Sequence, residues 1–491
     1  MNEIKDFKIW CFFFLYTFCV SAFIEVLFLP YIMPGLHAGH GLLNSSFDSI
    51  SFHDIAVNLA DKIRIQGWSA WQLRPGGQSP AGIASIFYFF ILPDPRVLVP
   101  FNAALHGTAA LILVNMLSLF VKDKIKAIIC VLPFLTFPSN LQWTAQWHRD
   151  SFSILGIVLI LQGIVLLAIS ENRKAESRFF VNIRSIIFCV CGFILTWIAR
   201  PYVLTIIELF LKMFFPLLFL VSLIRTFKKG ISWQKTLSIS LSMLLIILVL
   251  TQIKANSSSV DLKESSSVPE PSVIAQPIQP VLEKQPIQPV VEKQPIQHIL
   301  KKQSAEIKVK DDKSIKNGYI ENHWRKSFRL PLSIENKAYG LAMARRGFCN
   351  SSSEARSNID RDIGFNSVKD ILSYLPRAAQ IVFLAPFPNQ WLLEGSCRAN
   401  SLMRRISGFE MTVTYFALIF LPYAIWRWRR RIETWTIFAF CVYMMLIYGL
   451  VVSNVGSLYR MRYPYLTILV ALGIAGFIAF LEDLKVKRNI K

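Results

Sequence analysis

Apolar runs of roughly helix-spanning length alternate along this chain with short loops that are basic on every second turn, and this alternation limits the fold to a bundle of membrane-spanning helices. The runs occupy residues 9–30, 97–121, 127–141, 151–170, 180–198, 202–224, 236–253, 406–426, 434–452 and 463–480. Most are near the ~20 residues that a helix needs to cross a bilayer, and 127–141 is shorter. The predicted fold class is therefore an all-α polytopic membrane protein with about ten transmembrane helices.

Orientation follows from the loops. With residues 1–8 cytoplasmic, the clusters Lys122/Lys124/Lys126, Arg173/Lys174/Arg178, Arg225/Lys228/Lys229, Arg427/Arg429/Arg430/Arg431 and Lys485/Lys487/Arg488 all fall inside. That is the positive-inside pattern. Both termini are then cytoplasmic, in a membrane of the bacterial plasma (inner) membrane kind. The net charge of +22 would point to nucleic acid in a soluble protein, but here it resides largely in topological loops, so a nucleic-acid partner is excluded. The first run resembles a signal peptide, with Lys5 and Lys8 ahead of it, yet its length and the spans that follow favour an uncleaved anchor.

Four regions are expected. Residues 1–253 form a membrane domain with a first external loop at 34–96, and 406–491 supply the C-terminal spans. Residues 254–316 are a low-complexity external spacer with a nine-residue repeat, QPIQPVLEK at 276–284, QPIQPVVEK at 285–293 and QPIQHILKK at 294–302. Each unit has too little apolar surface to offset the entropy of ordering, so a disordered spacer is expected, with recognition by the repeat as the alternative. Residues 317–405 are a small, mostly helical cap in which Trp324, Leu341, Phe348, Ile371, Leu372 and Tyr374 carry amphipathic spacing. Within it, 381–393 is too short and Pro-broken to span, and Phe387 and Trp391 suit an interfacial segment. Six cysteines lie in apolar runs, whereas Cys349 and Cys397 fall on the oxidising side, where a disulfide can persist.

Chemistry is sought on the external face. Behind Asp48, the residues Phe52, Ala56, Leu59 and Ile63 recur at helical spacing, a stripe suited to a helix lying along the membrane surface. Asp48 at the start of that helix is either an N-cap or a carboxylate positioned to take a proton from an acceptor hydroxyl. His53 and Asp54, five and six residues on, are candidate substrate contacts. A first span, an external Asp, an amphipathic helix, a Gly/Pro-rich stretch (RPGGQSPAG, 74–82) and a short apolar segment (83–92) together resemble the GT-C superfamily of membrane glycosyltransferases, which includes the protein O-mannosyltransferase and aminoarabinose transferase families. In that superfamily the acidic residue of the first external loop is the catalytic base, and Asp48 is the matching position. The resemblance is architectural and covers residues 1–225, and the chain has Asp48-Ser49 where many relatives have Asp-Glu.

The resemblance also implies an acidic residue in the second external loop. Asp150 matches, after His148 and Arg149 in QWTAQWHRD, and its competing reading is again an N-cap, here of the run at 151–170. Arg200 in WIARPY and Arg460 and Arg462 in SLYRMRYP offer planar forks for the phosphate of a lipid-linked donor, although interfacial Arg residues also bind lipid headgroups. Glu208 and Lys212, four apart, suit a structural pair, while His106 and Glu25 stand isolated. No HExxH, P-loop or GxSxG arrangement occurs. No cofactor is expected, and a divalent metal stays open.

The expected function is transfer of a sugar from a polyprenyl-phosphate donor to a glycan, lipid or other acceptor at the outer membrane face. Its partners are then the polyprenyl-linked sugar, the acceptor and membrane lipids. The alternatives are a polymerase of lipid-linked oligosaccharide repeats, for which the Arg residues are essential and Asp48 dispensable, and a flippase or transporter centred on Glu208 and Lys212.

Overall fold

The computed structural model describes residues 5–170, 175–229, 233–267, 315–316, 319–320, 323–327, 329–351, 356–395 and 398–489. The repeat at 276–302 lies outside the described residues, and so does Cys397, the expected partner of Cys349. The helices are α1 (Asp6–Phe23, continued as a π-helix over Ile24–Ile32), α2 (Phe47–Gln66), α3 (Ser79–Phe90), α4 (Val99–Leu117), α5 (Lys124–Thr136), α6 (Pro138–Ala145), α7 (Asp150–Ser170), α8 (Ala175–Ala199), α9 (Pro201–Lys229), α10 (Trp233–Ser267), α11 (Leu332–Ser351), α12 (Val368–Leu384), α13 (Arg398–Arg427), α14 (Ile432–Val451) and α15 (Val455–Asn489). Among the described residues, the only strands are a two-residue antiparallel pair, Ile315–Lys316 and Tyr319–Ile320.

Nine of these helices are long and apolar enough to cross a membrane, or ten if the bent pair α5–α6 counts as one span. The chain is a multi-pass membrane protein. The run expected at 127–141 is not one straight helix: α5 and α6 meet at 64°. Phe137 is extended (φ −61°, ψ 120°) because the Pro138 ring disfavours the helical region for the residue before it. This break turns α6 across the end of the bundle.

Helix α7 is the central post, its spanning window wholly buried among α4, α8 and α14. Glycines let it touch α8 backbone to backbone. A Cβ on Gly163 would lie 2.5 Å from the Cys189 sulfur and 2.8 Å from the Ser185 carbonyl, and one on Gly192 would lie 2.6 Å from the Gly156 carbonyl. Small residues at such contacts replace the hydrophobic drive that is missing between helices in lipid. Gly473 and Gly476 do the same for α15 against Ala417 and Phe420 of α13.

Four sequence expectations shift. Helix α10 continues to Ser267, past the expected spacer boundary at 254, and α13 begins at Arg398, before the expected 406. The helical stripe of Phe52, Ala56, Leu59 and Ile63 is present, but it is buried, with Phe52 and Ala56 packed on Ala81, Ala84 and Tyr88 of α3, so α2 rests on protein where lipid was expected. The segment expected at the interface, 381–393, begins inside α12, and Ile381 and Val382 are buried. A Cβ on Gly449 of α14 would come 2.4 Å from Val382, so α12 lies directly on that span. Trp391, beyond the helix, donates its indole N–H to the Pro386 carbonyl at 2.8 Å and stacks on Tyr415.

Candidate functional site

A cavity of about 520 Å³ opens at the end of the bundle where the start of α2, the tilted α6, the loop after α12, and the first turns of α13 and α15 converge. Among the described residues, Asp48 is the one carboxylate lining it. Ser46 is the N-cap residue of α2, and no side chain caps that helix, so the N-cap reading of Asp48 does not hold. The Asp48 carboxylate stands in the first turn, 53% exposed, and accepts one hydrogen bond from Arg460 Nη1 at 3.2 Å.

Arg460 is shared. Its Nε donates to Asp150 Oδ2 at 2.5 Å, and Asp150 Oδ1 receives Arg200 Nη2 at 2.6 Å. Asp150 is the first residue of α7, only 5% exposed, with each oxygen held by a guanidinium. It lies behind the cavity wall and neither caps its helix nor faces a substrate. Asp150 thus fixes the Arg that touches Asp48. Arg200 sits at the junction of α8 and α9, where Pro201 starts the next helix, and its position behind Asp150 removes it from the cavity too.

The other predicted contacts divide. His148 lines the cavity, its ring nitrogens within 3.0–3.2 Å of the Ser46 and Ser49 hydroxyls. Burial, aided by the Arg460 charge, pulls its pKa down to about 3, so the ring is neutral at physiological pH. Arg149 does not line the cavity: it donates to Gln78 Oε1 and lies over the Phe52 ring at 5.3 Å. His53 is likewise elsewhere, bonded to the Tyr88 hydroxyl at 3.0 Å, and Asp54 is exposed outside the cavity. Arg462 is a clear correction. It is 1% exposed and donates to the carbonyls of Ile381 (2.9 Å), Val382 (2.6 Å) and Ala385, so it satisfies the C-terminus of α12 and is closed to a phosphate.

Several site residues escaped the sequence reading. Glu410, in the span of α13, is fully buried and accepts from the Ser139 N–H at 2.7 Å, the Ser139 hydroxyl at 2.7 Å and the Tyr459 hydroxyl at 2.5 Å. It ties α6, α13 and α15 together beneath the cavity floor, which Ser139 and Tyr459 line. Its signal was available, since an acid inside an apolar run marks a buried network. Trp143 lines the same cavity with its ring 6.3 Å from that of Tyr459, and Arg356 and Arg404 form the far wall. Nothing local in sequence sets those arginines apart from the exposed basic residues around them.

Glu208 is paired as expected with Lys212 at 2.6 Å, and Lys254 of α10 joins them. His106 is bonded by Asn140 at 3.1 Å, while the buried Glu25 oxygens have no hydrogen-bond partner among the described residues. Among the described residues no group of three or more His, Cys, Asp or Glu side chains is placed to hold a metal ion. No protein-family model, curated protein or solved structure matches the chain.

Proposed function

We propose that the protein is a GT-C-like membrane glycosyltransferase that moves a sugar from a polyprenyl-phosphate-linked donor to a hydroxyl of a glycan, lipid or other acceptor. The observation that carries this reading is the half-exposed Asp48 carboxylate in a largely polar cavity that also holds Arg356, Arg404 and Arg460 and the rings of Trp143 and Tyr459. An acceptor hydroxyl gives its proton to Asp48, the oxygen forms a bond to the anomeric carbon, and the bond from that carbon to the phosphate oxygen breaks. The electron pair leaves on the phosphate, where guanidinium charge stabilises it. Trp143 offers a face for the C–H surface of a sugar ring, in the way that small-ligand sites combine apolar walls with a few polar groups. Asp48 keeps a free lone pair because Arg460 holds only one of its oxygens.

The basic loops at the opposite end of the bundle support a cavity on the outer face, with both termini inside. An impermeant thiol reagent on single-Cys variants should then label positions in 276–302 and spare positions near Arg429. A polymerase of lipid-linked oligosaccharide repeats is the second reading, favoured by Arg356, Arg404 and Arg460 around one cavity. Mass spectrometry of glycolipids from cells with and without the gene tests both: an accumulated lipid-linked monosaccharide supports transfer, accumulated oligosaccharide repeats support polymerisation, and an unchanged profile overturns both.

A further inference from the structure

The three arginines expected to hold a donor phosphate are all engaged elsewhere: Arg200 on Asp150, Arg460 on Asp150 and Asp48, and Arg462 on backbone carbonyls. Two carboxylates are thereby balanced by two guanidiniums, and the neutral His148 adds no charge. Arg356 and Arg404 line the opposite wall without a carboxylate partner among the described residues. Their contacts are long and made to carbonyls alone: Arg356 Nη1 to Gly395 at 3.5 Å, and Arg404 to Glu394 at 3.3 Å and to Arg356 at 3.4 Å. The wall itself is fixed, since the Gly395 N–H donates to Ser401 Oγ at 2.9 Å and a Cβ on Gly395 would lie 2.7 Å from that of Asn400. Asn400 and Met403, in the first turns of the long helix α13, line the cavity beside them, so the positive end of the helix dipole adds to the two cations.

We propose that Arg356 and Arg404 form a diphosphate-binding wall, and that the donor lipid is linked to its sugar through a diphosphate. This rests on the glycosyl-donor reading and narrows it. A monophosphate diester carries one negative charge and a diphosphate diester two, so the second matches two guanidiniums that meet no carboxylate among the described residues. Each fork can hold two oxygens of one phosphoryl group.

The test uses the full chain in phosphatidylcholine nanodiscs, titrated without added metal. The probes are sugar-free diesters, farnesyl methyl monophosphate and P1-farnesyl-P2-methyl diphosphate. The diphosphate should bind about tenfold or more tightly than the monophosphate. The preference should shrink in Arg356→Gln, whose site is exposed and safe for folding, and vanish in Arg356→Gln/Arg404→Gln. Equal affinity for the two probes in the wild type, or a preference that survives the double substitution, overturns the diphosphate wall and leaves the glycosyl-donor reading standing. Binding of neither probe overturns both.

Discussion

Arg200 and Asp150 form a buried ion pair, Nη2 to Oδ1 at 2.6 Å, that joins the junction of α8 and α9 to the first residue of α7. Removing one member of such a pair strands the other in a dry site. Asp150→Ala leaves both Arg200 and Arg460 without their shared carboxylate and should destabilise the protein by about 3–5 kcal/mol. Asp150→Ala/Arg200→Met should recover part of that loss. Thermal unfolding followed by tryptophan fluorescence reads the order, and an Asp150→Ala protein that melts with the wild type contradicts it.

Asp48 calls for the opposite result. Its contact with Arg460 is largely exposed, so Asp48→Asn should leave the melting temperature nearly unchanged. Glycosyl transfer should nevertheless fall by about 10² or more, because the amide cannot accept the acceptor's proton. Asp61→Asn, at the exposed ion pair with Arg64, should transfer at the wild-type rate. Full activity in Asp48→Asn would eliminate the proposed base and move the polymerase reading forward.

His148 gives the site an acid limit. Burial holds its folded pKa near 3, whereas an unfolded histidine titrates near ~6.5. Between those values the unfolded chain binds a proton that the folded chain does not, so this residue lowers stability as pH falls. His148→Gln retains hydrogen-bonding capacity toward Ser46 but does not titrate. Melting curves from pH 7 to pH 5 should therefore show a shallower decline in the variant, and identical slopes would exclude a titrating role for His148.

Arg462 should act on the cap. Arg462→Gln cannot reach all three carbonyls at the end of α12, so the segment from Ile381 to Ala385 should loosen from α15. Faster proteolytic cutting within 385–395 is expected, with the affinity for a soluble diphosphate changed only indirectly. A substrate contact would show the reverse, with intact protease resistance and weaker anion binding.

The spans were legible because each is a local run whose length and loop charges can be read in order. Asp48 and Asp150 were legible as a pair of acids on one face, and the structure brings both to Arg460. The roles were less legible. Arg460 and Arg462 are two residues apart on one helix, yet one faces carboxylates and the other the end of α12, a distinction made by partners far away in sequence. Arg149 and His53 each neighbour an acid in the chain, but the Arg149 guanidinium lies over Phe52 and the His53 ring bonds Tyr88. Arg356 becomes a site residue only when the segment before α12 pairs with the start of α15, where the Val455 N–H donates to the Ser357 carbonyl at 2.9 Å, and Arg404 only when the first turns of α13 close the cavity beside it.

Arg460 is 412 positions from Asp48 and 310 from Asp150. Its helix follows, in chain order, the other elements that line the cavity. Until α15 enters the bundle, Asp150 lacks one of the two guanidiniums that hold it, Asp48 lacks its hydrogen bond from Arg460, and the last carbonyls of α12 lack Arg462. Closure of the site is thus coupled to the insertion of α15: a chain truncated before α15 would carry an incompletely neutralised acid at the head of its central helix.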